Sequence, residues 1–471
     1  MDNLTRFGVR RDRAAAWRRA LLVVALGAVA GSEAAAQLLD PPIQVPGTIG
    51  GPLERALPPL RDRLDPIETV EDAAETVDDE LDEGLEGVQD TVESATEAVE
   101  EIVGAVGELF VADADPAGQE IEREVWVVLV PAEYAPQIPG WGFTIRERRE
   151  LEGLDLVLLR IEAPEGRGMR ETELDISSGA PGTVVDYNHV YGAGADEPGG
   201  GLSTVEAASV PVHDSPASAP SLEAGGLTIG IVDSSVVADH EALHGATIVQ
   251  KDFVPFAGER PTSHGTAVAS ILVEGARASA AGALRVYAAS VFVAGEDHES
   301  MATTGSLVAA LEWLGAQGAG VINMSLTGPA NRVLEAALAA ITKRGALVVA
   351  AVGNEGPASK PLYPAAYDTV LGITAVDSDN RIYRHANRGR HVAFAAPGVR
   401  AKVARSDGGY GRETGTSMAA PFAAAIIATS LAADSAAPAD VVARLEQNAV
   451  DLGDEGFDEV FGFGLIAPLR R

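Results

Sequence analysis

From Leu227 to the end of the chain, apolar runs alternate with helical patterns: LTIGIVD, HGTAVASILVEGA, RVYAASVFV, SLVAALEWLGAQGA, GVINMSL, VLEAALAAITKRG, ALVVAAVGN, TVLGITAVD and GTSMAAPFAAAIIATS. A strand buried on both faces reads as a near-continuous apolar run, whereas a helix repeats its apolar residues three or four apart. Their alternation is the mark of β-α-β units. It predicts an α/β fold with a mostly parallel sheet and helices on both faces. In an open sheet of this kind the working crevice lies beyond the carboxyl ends of the strands. The polar residues fall there: Asp233 closes LTIGIVD, Ser325 closes GVINMS, Asn354 closes ALVVAAVGN, and His264 and Ser417 each open a helix.

Asp233, His264 and Ser417 carry the three chemistries of an activated nucleophile, in that chain order. A serine hydroxyl attacks poorly at neutral pH unless an imidazole takes its proton. The imidazole in turn needs a carboxylate to fix its tautomer and stabilise its charged form. Taken singly, each residue has a plain structural reading: turn aspartate, surface or capping histidine, helix N-cap serine. His240 and His244 keep that reading, as loop structure. Gly415 is expected to let the chain turn tightly, and Ser417 at the helix threshold offers a backbone N–H where an oxyanion would develop. Asn354 supplies a second donor through its side-chain amide. Pro421 is expected within the first helical turn, where its missing N–H has no partner to lose.

The motifs IVDSS, HGTAVAS, NMSLTGP, AAVGNEGP and GTSMAAP resemble the catalytic Asp, His, substrate-strand, oxyanion and nucleophile motifs of the subtilisin-like serine proteases, in register over residues 227–467. That resemblance implies that Asp233 orients His264, that His264 is general base and then general acid, and that Ser417 forms the acyl-enzyme. Asn354 would complete the oxyanion hole with Ser417. It also implies that Ser325, Leu326, Thr327 and Gly328 form the edge to which a polypeptide substrate adds, with Glu355 and Lys360 beside the pocket next to the cut. Lys360 is read either as pointing into that pocket or as solvent-facing. Asp233-Ser234-Ser235 and Thr327 depart from the commonest family pattern, leaving turn and subsite shape open. Lipase-type hydrolases are disfavoured, because their nucleophile elbow is G-x-S-x-G and their order Ser, Asp, His. No cofactor is needed for this chemistry. Structural calcium, as in relatives, is one reading of acidic loops such as Asp377 to Asn380, and a salt-bridged solvated loop is the other.

Upstream, EVWVVLVP, FTIRERREL, LDLVLLRIE and TVVDYNHV read as strands, with short helical stretches after Pro131 and around Arg167 to Ile176. The order β-α-β-β-α-β predicts a small ferredoxin-like α+β module over residues 112–191. VVDYNHVY resembles the end of the inhibitory propeptides that many subtilisin-like enzymes carry, which implies an intramolecular inhibitor whose tail lies in the cleft like a product. A permanent accessory domain is the alternative. A Gly/Ser/Ala/Pro-rich linker over 192–226, suited to cutting, leads into the catalytic domain expected over 227–471.

At the N-terminus, arginines from Arg10 to Arg19, the apolar run Leu21 to Gly31 and Ala34-Ala35-Ala36 read as a secretory signal over residues 1–36. The apolar run is shorter than the ~20 residues a membrane span needs. Export is therefore expected, to the periplasm or the medium, with no stable membrane span. Residues 37–111 are proline-rich and then acidic; Val70, Ala74, Val77, Leu81, Leu85 and Val88 recur at helical spacing, either as a coiled-coil stripe or as a self-repelling solvated helix. The formal net charge of -34 opposes a nucleic-acid partner. With no cysteine, disulfides, thiolate metal sites and a cysteine nucleophile are excluded. The expected function is an exported serine endopeptidase made as an autoprocessed preproenzyme. The alternative is a catalytically idle scaffold that recruits partners through the acidic helix.

Overall fold

The computed structural model describes residues 112–151, 156–162, 164, 166–193, 226–277, 283–294, 300–433 and 436–469, all within one unit, Glu108–Arg471. The segments expected over 1–36 and 37–111, and most of the linker, lie outside these residues.

The upstream strands are β1 (Ala112–Ala114), β2 (Glu120–Pro131), β3 (Thr144–Leu151), β4 (Leu156–Glu162) and β5 (Val184–Ala193), with helix α1 (Met169–Gly179) before β5. They pair antiparallel in the order β3-β4-β2-β5, the ferredoxin-like arrangement, and β1 adds to β2. Trp126, Val128, Leu159, Ile161 and Ile176 form the core between this sheet and its helices. Two details differ from the sequence expectation. The first connection is a 3-10 turn, Ala135–Trp141, because Pro136 and Pro139 remove N–H donors that an α-helix would use. The last strand runs on to Ala193, past the expected end of the module at Tyr191.

The second part contains β6 (Leu227–Asp233), β7 (Ala246–Asp252), α2 (Ser263–Arg277), β8 (Leu284–Ser290), β9 (Val293–Ala294), β10 (Ser300–Thr303), α3 (Thr304–Ala316), β11 (Val321–Met324) and β12 (Leu326–Thr327). After these come α4 (Arg332–Lys343), β13 (Leu347–Ala351), β14 (Val370–Val376), β15 (Val392–Pro397), β16 (Ala401–Ala404), β17 (Tyr410–Glu413), α5 (Thr416–Ala433) and α6 (Pro438–Asn448). Seven strands form one parallel sheet in the order β15-β14-β13-β11-β6-β8-β7. The chain enters at β6, goes to one side through β7 and β8, then to the other through β11. The carboxyl end of β6 is therefore a topological switch point, where a crevice is expected.

Both faces of this sheet are covered. Ile229 and Ile231 of β6 pack with α2 and α5 on one face, while Val232 packs with α3 and α4 on the other. That explains why β6 is apolar at successive positions. The apolar helix α5 is a core helix, with Ala419, Ala423 and Ile427 fully buried. The edge strand β7 reads ATIVQKD and is mostly exposed, so its pattern carried little strand signal.

Candidate active site

Asp233 is the last residue of β6 and its side chain is fully buried. One carboxylate oxygen accepts from the Ser234 N–H at 2.7 Å. His264 Nδ1 lies 2.8 Å from Oδ1 and 3.0 Å from Oδ2 of the same carboxylate. An ionised carboxylate only accepts, so Nδ1 carries the proton and Nε2 the lone pair. His264 sits in the first turn of α2, brought onto the aspartate loop by close packing. A side chain at Gly265 would collide with the Ser234 carbonyl, and the Gly265 N–H donates to Ser234 Oγ at 2.7 Å. Ser234 thus caps the helix that carries the histidine.

Ser417 is the second residue of α5 and 2% exposed. A Cβ at Gly415 would stand 3.1 Å from Ser417 Oγ and 3.2 Å from Asn354 Nδ2. Hydroxyl and amide therefore flank the same point. Gly415 is not among the glycines with positive φ, so what it supplies is room between these groups rather than a left-handed turn. Asn354 Oδ1 accepts from both the backbone N–H and the hydroxyl of Thr416, each at 3.0 Å. That fixes the amide with its Nδ2 toward the hydroxyl side. Thr416 was not singled out from the sequence, although it stands next to Ser417 in GTSM; its role depends on a contact with a residue far away in the chain.

Pro421 lies in the second turn of α5, not the first. Its missing N–H would have bonded the Ser417 carbonyl four residues back. The Ser325 hydroxyl donates to that carbonyl instead, at 2.8 Å, and accepts from Asn323 Nδ2 at 3.0 Å. The end of β11 is thereby tied to Ser417.

From Ser325 the chain runs through Leu326 and Thr327 as β12 to Gly328, which exchanges two backbone hydrogen bonds with Tyr363 at 2.8 and 3.0 Å. Strand β5 lies antiparallel along this edge, with Leu326 opposite Ala193 and Thr327 opposite Gly192. On its other side β5 pairs with β10, Ala302 opposite Tyr191. The upstream module thus supplies a strand between two strands of the second part. Its side chains also meet helix N-termini. Asp186 Oδ2 accepts from the Arg332 N–H of α4 at 2.8 Å, and Asn188 Oδ1 from the Gly305 N–H of α3 at 2.9 Å. Glu355 and Lys360 are both exposed. The Asp377 carboxylate accepts from the backbone N–H groups of Arg381 and Asp379 and then from the Arg381 side chain, which together hold it below the usual carboxylate range. Among the described residues no group of three or more His, Asp or Glu is placed to hold a metal.

The family model described as "Subtilase family" matches residues 224–464. The chain belongs to the subtilase family of serine proteases. Subtilisin of Bacillus pumilus is 32% identical over 278 residues, 55% of this chain and 98% of that protein. Minor extracellular protease Epr of Bacillus subtilis (strain 168) is 31% identical over 251 residues, 51% of this chain but 37% of that protein. Among solved structures, the prenylagaramide maturation protease PagA aligns at 24% identity with a TM-score of 0.44, covering 51% of this chain and 90% of that one.

Proposed function

We propose that this subtilase is an exported serine endopeptidase that cleaves polypeptides through Asp233, His264 and Ser417 and is made with residues 112–193 as its own inhibitor. The observation that carries the reading is the hold of one carboxylate on His264 Nδ1, which presents Nε2 as the base. Ser417 Oγ attacks the substrate carbonyl carbon and its proton passes to Nε2. Asn354 Nδ2 and the Ser417 N–H donate to the oxyanion. Collapse breaks the C–N bond, the proton goes from His264 to the leaving amine, and water then releases the acyl group by the same steps in reverse roles.

The inhibitor reading rests on β5 lying along Leu326–Thr327, the edge that the substrate backbone would take. Cutting between residues 193 and 226 would separate the two parts. Export rests on the Arg10 to Ala36 pattern and on the relative named an extracellular protease.

Casein hydrolysis by the protein purified from the medium or periplasm tests the activity, and mass spectrometry of that protein fixes both processing sites. Hydrolysis should vanish in Ser417→Ala. A wild-type protein that is correctly folded yet cuts nothing would instead mark the subtilase fold as a scaffold.

A further inference from the structure

The backbone on either side of Asn354 is held by a segment more than thirty residues further along the chain, between β14 and β15. Three hydrogen bonds join the two. The Asn387 N–H donates to the Gly353 carbonyl at 3.1 Å, Asn387 Oδ1 accepts from the Glu355 N–H at 2.9 Å, and the Gly356 N–H donates to the His385 carbonyl at 2.8 Å. Asn387 thus grips both neighbours of Asn354.

The grip is close and lies out of reach of solvent. Asn387 is fully buried, and a Cβ at Gly353 would stand 2.9 Å from its Nδ2 and 2.7 Å from the Leu362 side chain. Gly353 has a φ of 105°, in the region that favours glycine. The glycine admits the asparagine side chain, but it also gives the chain just before Asn354 the most freedom to swing. The two bonds from Asn387 remove that freedom. Thr416 fixes the far end of the same residue, because Asn354 Oδ1 accepts from the Thr416 N–H and hydroxyl.

We infer that Asn387 is a positioning residue for the oxyanion donor, holding the backbone of Asn354 so that its Nδ2 stands where charge develops on the substrate oxygen. This rests on the proposed role of Asn354 and adds the group that sets its place. A donor is effective at about 2.7–3.1 Å from the developing oxyanion, and a displacement of ~1 Å can cost about 10²-fold. Small shifts therefore matter. Among the described residues Asn387 Nδ2 has no hydrogen-bond partner, so the side chain holds the loop through Oδ1 alone. Because Asn387 acts through Asn354, its effect on rate should be present only while Asn354 is.

The test uses the active protein from full-chain expression and a fluorogenic peptide drawn from casein. Asn387→Leu removes the accepting oxygen at nearly constant volume, and should lower kcat about tenfold with KM little changed. In the Asn354→Ala background the same substitution should cost less than about twofold, since no donor is left to place. Asn387→Asp keeps the oxygen and gives up only the unpartnered Nδ2, so it should recover most of the kcat that the leucine variant loses. Equal losses with and without Asn354 overturn the inference, because a general loosening of the fold acts in both backgrounds. A folded Asn387→Asp protein that is tenfold slower in both backgrounds overturns it as well, even where the leucine variant does not fold. Either result leaves the endopeptidase reading standing. Undiminished hydrolysis by Asn354→Ala overturns the oxyanion role of Asn354 itself, and this inference with it.

Discussion

The Ser325 hydroxyl donates to the Ser417 carbonyl oxygen at 2.8 Å, substituting for the N–H that Pro421 lacks. The carbonyl is buried in the first turn of α5, where an unmet acceptor costs about 1–3 kcal/mol. Ser325→Ala, measured by denaturant unfolding in the uncut Ser417→Ala protein, should lose stability by that order. Adding Pro421→Ala restores an amide at position 421 that can bond the same carbonyl. The two substitutions should therefore be non-additive by at least about 0.5 kcal/mol, and strict additivity would mean the two groups do not share the carbonyl.

In the proposed reaction Thr416 would act through Asn354, whose side-chain oxygen accepts from both its N–H and its hydroxyl. Its hydroxyl donates to Asn354 Oδ1 and accepts from the Gly353 N–H, at 3.0 and 3.1 Å. Asn354→Ala should cost about 10²–10³ in kcat, the usual loss for one oxyanion donor. Thr416→Val keeps the volume and the backbone N–H but removes one of the two Thr416 donors that hold Asn354 Oδ1, and should cost up to about tenfold in kcat with KM little changed. A loss confined to KM would move Thr416 to substrate binding.

How much of this was legible in the chain depends on the range of the contact. Asp233, His264, Asn354 and Ser417 stand at ends of strongly apolar or strongly periodic segments, so the parallel sheet that the pattern predicts also predicts their convergence. The ferredoxin-like order was legible for the same reason, save where Pro136 and Pro139 turned the first helix into a 3-10 turn. Local readings of Gly415 and Pro421 missed what non-local packing asks of them: room beside Asn354, and a carbonyl given to Ser325. The end of β5 was placed too early because Gly192 and Ala193 have no strand propensity of their own. They are extended because Leu326, Thr327 and Met301 pair with them.

Burial between β10 and β12 raises the Tyr191 hydroxyl well above the ordinary tyrosine value of about 10. A released tail would have the ordinary value, so it loses its proton first. The sign follows: docking of the module is undiminished below about pH 10 and weakens as pH rises through the docked tyrosine's higher value. Protease activity of the nicked but associated protein, assayed with a saturating small substrate, should rise steeply above pH 10. Tyr191→Phe should flatten that rise, and an unchanged profile would assign it to another group.

Asp186 and Asn188 meet the N-termini of α4 and α3 from one strand, two residues apart. Each cap contributes about 1 kcal/mol, the ionised one through the helix dipole as well. Asp186→Ala and Asn188→Ala should each weaken inhibition by an added 112–193 fragment about fivefold. Added salt should shrink the Asp186 effect and spare that of Asn188.

Removal of the module would take their partners from the inward edges of β10 and β12 and from the Gly305 and Arg332 N–H groups at the starts of α3 and α4. A parallel sheet gains nothing until contacts distant in sequence form, which makes its folding slow. A preformed antiparallel module that already presents β5 gives those edges and helix ends a template, and it buries Tyr191 against the edge at Gly328 while doing so. Full-length Ser417→Ala should accordingly accumulate as one uncut, folded chain, since the nucleophile that would cut between residues 193 and 226 is gone. A chain beginning at Gly201 should refold poorly alone and recover activity when the separate 112–193 fragment is added during refolding, with excess fragment then inhibiting what it helped to fold. Full unaided refolding of the short chain, with no inhibition by the fragment, would make residues 112–193 an accessory domain rather than template and inhibitor.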